Sequence, residues 1–437
     1  MNPALFILSL ALLAPRPLFE SAQREAPEAM LFRAIAVRDV DGARRALRLG
    51  ADVNAADPAG ATPLMRAAAS GHVDLVKTLL AATGVEIDAR GPSRETALSY
   101  AALYGRSDVV ALLVASGATV NVTNKDGLTP LMMAAQEGQV EVIRRLIEAG
   151  ADAQSRDKDG VTPLVVAASA GRLAVVRLLV GRGVPVNGRL PDGPHALMAA
   201  SFGGYADVVR ELLEGGADVT VTDQQGRTVL MAAALNGDPR VVDLLLRAGS
   251  NVEATDAAGQ TALIFSLAKG SLDVAEQLLK AGARNGREDL MVAAAEHGHL
   301  DLVKALLADG VRVEARNRNG GTALVGAASA HQNAIVNFLL GQGANVNASD
   351  QEGRTPLIGA AASGDLALVE TLLEHGADVE AADRGGGTPW THAFKKGHLH
   401  VTKVLEAAAV KKSPPRSDAP RAGTKPVISS TICPSGR

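Results

Sequence analysis

The sequence predicts an all-α chain with short β-hairpin fingers, folded as a solenoid of about twelve stacked helix-turn-helix repeats. Three observations predict it. The first is a fixed beat: Thr62, Thr96, Thr129, Thr162, His195, Thr228 and Thr261 lie 34, 33, 33, 33, 33 and 33 residues apart. After a shorter step to Asp289 the beat returns at Thr322, Thr355 and Thr388, again 33 apart. A period of roughly 20 to 50 residues is the signature of a stacked repeat architecture. The second observation is the helical spacing of apolar residues inside each period. The third is composition: only 3% of residues are aromatic while Ala and Leu dominate, as helix-on-helix contacts repeated along one core demand.

The stretch from Thr129 to Asp157 shows how each element arises. Thr129-Pro130-Leu131 opens a first helix, because Thr can cap free amides and Pro lacks a donor that the first turn does not need. Ala134-Ala135 supply small side chains where neighbouring helices approach. Gly138 ends the helix by adopting positive φ. Val142, Ile143, Leu146 and Ile147 then form the apolar stripe of a second helix. Gly150-Ala151-Asp152 ends that helix, and Asp157-Lys158-Asp159-Gly160 makes a turn before the next Thr-Pro-Leu. One such repeat cannot cover its own stripe, so neighbours must stack on it.

These residues resemble the ankyrin repeat family, whose pattern runs G-x-TPLHxAAxxGHxxVVxLLLxxGADVNAxD. The strongest matches are Gly60-Ala61-Thr62-Pro63-Leu64 with Gly71-His72-Val73-Asp74-Leu75-Val76, and Leu372-Leu373-Glu374-His375-Gly376-Ala377-Asp378-Val379. The resemblance runs over residues 28 to 410 in twelve repeats. Every repeat departs from the family at the His of the TPLH tetrapeptide. Met65, Ser99, Met132, Val165, Met198, Met231, Ile264, Val292, Val325, Ile358 and Thr391 stand there, so apolar packing is expected to replace that residue's local hydrogen bonds, at a modest cost in stability.

The expected organisation follows from where the pattern starts, weakens and stops. Residues 1–22 read as a signal peptide, because residues 4–14 form an apolar run too short to span a bilayer. Residues 23–60 read as an Arg-rich N-terminal capping repeat, and 61–386 as the repeat array. Within the array, the repeat at 260–287 is five residues short and is expected to be a weak plane or a tolerated surface deletion. Residues 387–410 form a C-terminal capping repeat in which the single tryptophan, Trp390, replaces a motif Leu. Residues 411–437 are a basic tail rich in Pro, Ser and Gly, with six basic residues and one acid, leaving −8 on the remainder. Export to the periplasm or medium is expected; an uncleaved run would instead leave the chain cytoplasmic or membrane-anchored.

Net charge is −3, which makes no case for nucleic acid, and membrane contact would run only through the N-terminal run or the tail. The lone cysteine, Cys433, can form neither an internal disulfide nor a metal cluster. Asp157-Lys158-Asp159-Gly160 opens like a calcium loop, but the twelfth position, where a bidentate Glu belongs, is Ala168. His392, His398 and His400 read as cap-edge and helix-start residues rather than metal ligands. Glu296, His297 and His299 lack a nucleophile and a third orienting group. No cofactor motif or catalytic motif is present, so the chain is expected not to be an enzyme.

The resemblance implies that a partner protein binds the concave side formed by fingertips and exposed first-helix faces. Carried over residue by residue, it gives Arg156, Lys158, Gln224 and Arg227 at the fingers and Tyr104, Gln136, Glu137, Phe202, Leu235 and Asn236 on the first helices. Tyr104, Phe202 and Leu235 stand out as apolar groups at positions usually polar. Partial burial against the next repeat is the competing reading of each. The expectation is a monomeric, non-catalytic scaffold for another protein, the alternative being a self-associating cell-envelope solenoid tethered at either end.

Overall fold

The computed structural model describes residues 26–187, 195–268 and 270–412. Among them lie 24 helices, and the chain divides into two compact blocks, Met1–Gly259 and Gln260–Arg437. In both blocks helices alternate as first and second members of stacked pairs, for example Pro63–Ser70 with Val73–Leu80 and Pro356–Ser363 with Leu366–Glu374. The predicted all-α repeat solenoid is the fold. The segment expected as a signal peptide, 1–22, and all of the tail beyond Lys412 lie outside the described residues.

The beat residues start the first helices as their chemistry requires. The hydroxyls of Thr62, Thr96, Thr129, Thr162, Thr228, Thr322, Thr355 and Thr388 each accept the amide three residues on, at 3.3–3.4 Å. His195, on the same beat, makes no such bond. The residues that replace the family histidine do more than pack. The Met65 and Met231 sulfurs accept the backbone amides of Thr62 and Thr228 at 3.4 and 3.3 Å, closing a box normally closed by Glu or Gln. Ser99 Oγ lies 3.3 Å from Thr96 Oγ1.

Each repeat contributes the same core. Leu64, Leu98, Leu131, Leu164, Leu197 and Leu230 from the first helices are buried, with the Ala pairs 67/68, 101/102, 134/135 and 167/168 beside them. Leu75, Val76 and Leu79, and their equivalents in later repeats, close the core from the second helices. Fully burying one such aliphatic side chain contributes about 1.5–3 kcal/mol.

The fingers differ from expectation. Instead of β-hairpins, the described residues hold two single antiparallel pairings, Thr222 with Thr228 and Arg316 with Thr322. Five residues before most beat residues, Asn124, Asp157, Asp223, Asn317, Asp350 and Asp383 each fold the tip around a side-chain oxygen. Asp157 Oδ1, for instance, accepts the amides of Asp159 and Val161 at 2.9 and 2.8 Å.

Two further differences concern the C-terminal end. The last helix, Leu399–Lys412, runs through Lys411 and Lys412, which the sequence reading assigned to the tail. His392 is not a loose edge residue: its Nε2 stands 2.6 Å from Asp383 Oδ2. Trp390 stacks on Phe394 at 4.9 Å between ring centroids and donates to Glu406 Oε1 at 2.9 Å.

Glycine inside a first helix needs a reason, and Gly359 has one. A Cβ there would stand 2.5 Å from Ser329 Oγ and 3.1 Å from Ser329 Cα, so the preceding repeat fills the space. Gly341, ending the helix Asn333–Gly341, would meet nothing within 4 Å. Although Ala is favoured over Gly in a helix by up to about 1 kcal/mol, Gly359→Ala is expected to destabilise by about 1–3 kcal/mol through overpacking. Gly341→Ala is expected to stabilise by up to about 1 kcal/mol. Urea titrations of both variants check the opposite signs.

Candidate protein-binding surface

Three polar ladders join neighbouring repeats within each block and decide which surface groups remain free. At the fingertips the bonds are backbone to backbone: the amides of Lys125, Lys158, Gln351 and Arg384 donate to the carbonyls of Ser93, Asp126, Asn319 and Glu352 at 2.8–3.2 Å. Below them runs a ladder of asparagines. Asn54, Asn121, Asn187 and Asn347 each donate Nδ2 to a glycine carbonyl of the following repeat and accept an amide two residues beyond that glycine.

The third ladder runs along the C-terminal ends of the first helices. Arg106, Arg172, Asn236, Gln332 and His398 reach back to the carbonyls of Ala69, Gln136, Phe202, Glu296 and Ala362 at 2.8–3.3 Å. Each donor side chain lies against the glycine that ends the preceding first helix, as Arg172 does at Gly138 and Asn236 at Gly204. Tyr205 takes the same place without a donated bond, its ring over Gly171. His331 is an exception to the glycine row, as Arg38 is at the end of the helix Pro27–Val37. His331 holds φ 61°, where a side chain is strained, and its Nδ1 is 3.5 Å from Asp365 Oδ2.

Against these ladders the ten residues picked from the sequence separate into two groups. Asn236 is tied to Phe202 O, and Arg227 is folded onto Asp223 at 2.6 Å, so both are taken up inside the structure. Arg156 donates to its own fingertip carbonyl, Gly160 O, at 3.0 Å. Gln136, Glu137, Lys158 and Gln224 are exposed. Tyr104 is 50% exposed and Phe202 59%, with Leu235 half-buried. Phe202 and Leu235 share one row, seven residues after the beat positions His195 and Thr228. Sequence reasoning passed over Tyr205, 38% exposed; its signal was its place in the row of Arg106, Arg172 and His398.

Chemistry is sparse. No group of three or more His, Cys, Asp or Glu side chains could hold a metal ion among the described residues. Partial desolvation pushes the Glu296 carboxyl up, against the pull of His297 and Arg354, and its stem lies over Gly326. His297 Nδ1 lies 2.9 Å from Ala293 O, so its ring is turned to the helix backbone rather than to a reacting group.

The sequence profile of ankyrin repeats (3 copies) matches residues 31–124, 112–189, 196–289, 290–383 and 324–414, together nearly the whole described chain. The chain belongs to the ankyrin repeat family. Among solved structures it is similar to the human ASB11 ankyrin repeat domain, with 30% identity over 51% of this chain and 99% of that one and a TM-score of 0.47. Ankyrin repeats are in general protein–protein interaction modules and non-enzymatic scaffolds.

The fingers carry an acid-sensitive component of stability. Burial works against the Asp57 carboxylate, but the Ala61 amide and the Arg66 guanidinium outweigh it and hold it below its ordinary 3.8. The Gly387 amide and the His392 ring do the same for Asp383. A carboxyl depressed by folding stabilises above its unfolded pKa and loses that contribution as pH falls through the folded value. The urea midpoint is therefore expected to drop below about pH 4, and Asp57→Asn and Asp383→Asn are each expected to flatten that drop while lowering the midpoint at neutral pH.

Proposed function

We propose that this ankyrin-repeat chain is a non-catalytic scaffold that holds another protein on the face built from its fingers and first helices. One observation carries the reading. Phe202 and Leu235 keep apolar surface in water in the same row of adjacent repeats, where the neighbouring backbone carbonyl is already bonded to Asn236. Large apolar groups left exposed beside satisfied polar groups mark interaction sites, and a few such anchors carry most of the energy of a protein interface. Tyr104, Glu137 and Lys158 extend the surface with groups that the fold leaves exposed. We also infer export, on the apolar run at residues 4–14.

The two groups of surface residues make the binding test specific. Affinity purification of the tagged full chain is expected to retain a stoichiometric companion that the Phe202→Ala/Leu235→Ala double variant loses. Asn236→Ala, which removes an inter-repeat bond, is expected to keep the companion while lowering stability by about 1 kcal/mol. Loss of the companion in both variants, or in neither, would remove the anchor role. Export predicts a mature N-terminus near Ala22 by mass spectrometry; an intact Met1 in the cell extract would overturn it.

A further inference from the structure

The C-terminal end of the second block carries a surface of a different kind. Residues 384–405 hold four basic residues and no acidic one. Lys395, Lys396 and Lys403 are exposed and in no ion pair among the described residues. Among them stand Phe394, 56% exposed, and Leu399, 61% exposed. Phe394 occupies the place of Ala68, Ala135 and Ala361 in earlier repeats, each fully buried. A phenyl ring where stacking uses a methyl holds off a further first helix, so this end does not suit a repeat of a second copy. Trp390 joins the two last helices by stacking on Phe394 and donating to Glu406. Leu399, Lys403, Glu406 and Val410, spaced four, three and four apart, share one exposed face of the last helix.

The kind of cation narrows the partner. Between residues 395 and 412 stand five of the chain's twelve lysines and none of its 32 arginines. Fixed carboxylates of a folded protein are met best by the planar guanidinium fork, whereas an ammonium is a point charge that needs no set geometry. The headgroups of a fluid anionic bilayer offer charge without set geometry, and the boundary beneath them takes apolar side chains flanked by lysines. A nucleic-acid backbone would match the lysines but leave Leu399 and Val410 without apolar contact. We propose that this end of the last repeat, at Phe394, Lys395, Lys396, Leu399 and Lys403, docks on an anionic lipid surface. Phe394 and Leu399 enter the interface while the lysines meet the headgroups. Contact is peripheral, because the last helix has 14 residues and crossing a bilayer takes about 20 apolar ones. Each lysine near such a surface strengthens binding about fivefold. Residues 413–437, with four basic residues and one acid, act in the same direction. None of these residues belongs to the protein-binding surface proposed above.

Trp390 is the chain's single tryptophan, so its fluorescence reports this end alone. The full chain is mixed with vesicles carrying brominated acyl chains, of phosphatidylcholine alone or of equimolar phosphatidylcholine and phosphatidylglycerol, and co-flotation gives a second readout. Expected is quenching of Trp390 by the mixed vesicles, with affinity about tenfold or more above that for phosphatidylcholine alone and weakened by added salt. Lys395→Gln/Lys396→Gln/Lys403→Gln should weaken binding about tenfold or more, and Phe394→Ala/Leu399→Ala several-fold. Absence of quenching, equal binding to both vesicles, or binding undiminished in either variant overturns the site. Tighter binding to poly-glutamate or to a DNA duplex at the same salt, lost in the lysine variant, overturns the lipid and assigns the patch to an acidic macromolecule. Circular dichroism of each variant, matched to wild type, keeps unfolding from imitating a lost site.

Discussion

Alanine against alanine sets the distance at which one first helix meets the next, and most of the architecture is built on that distance. Ala134 and Ala135, Ala167 and Ala168, and Ala327 and Ala328 are fully buried, with no side chain long enough to hold the helices apart. At Gly359, beside the alanines Ala360 and Ala361 of its repeat, even a methyl group would meet Ser329 of the preceding repeat. The larger Leu and Val side chains then fill the space toward the second helices, where each repeat covers the stripe that its neighbour cannot cover alone. Close packing of this kind tolerates little change in volume, which is why the residue type repeats as strictly as the spacing.

The polar ladders are the second consequence of that spacing. Helices this close bring a carbonyl at the end of one first helix within reach of a side chain in the next repeat, and the bonds to Ala69, Gln136, Phe202, Glu296 and Ala362 follow. Each bond contributes modestly, on the order of 1 kcal/mol. Together they use the polar groups of the inner surface and leave exposed what does not serve stacking. Phe202 and Glu137 stand out because the carbonyls beside them are occupied.

Much of this was legible in the sequence, because a repeat repeats its chemistry. Thr at most beats foretold the caps, Leu and Ala foretold the core, and Gly138 foretold the left-handed helix end. The candidate surface was legible only in part. Phe202 could be singled out as apolar where polar residues are usual, but nothing local marks Asn236 as bonded to a carbonyl 34 residues away. Asp383 and His392 read as ordinary turn and helix residues until folding places them 2.6 Å apart. The fingers read as hairpins because their composition suits turns, but composition does not tell how far strand pairing continues beyond the turn. What escapes the sequence is pairing between repeats, which depends on relative placement and not on spacing alone.

The ladder bonds between repeats join residues 29 to 37 positions apart. Contacts of such short span cost little loop-closure entropy, and local topology of this kind folds quickly. A chain built this way has no distant partner to await: a repeat can settle as soon as its successor has been synthesised. Lengthening or shortening the array by one period leaves the geometry of the remaining contacts intact. Growth by duplication is thus physically cheap for this architecture, and the exposed rows of each repeat are then free to diverge.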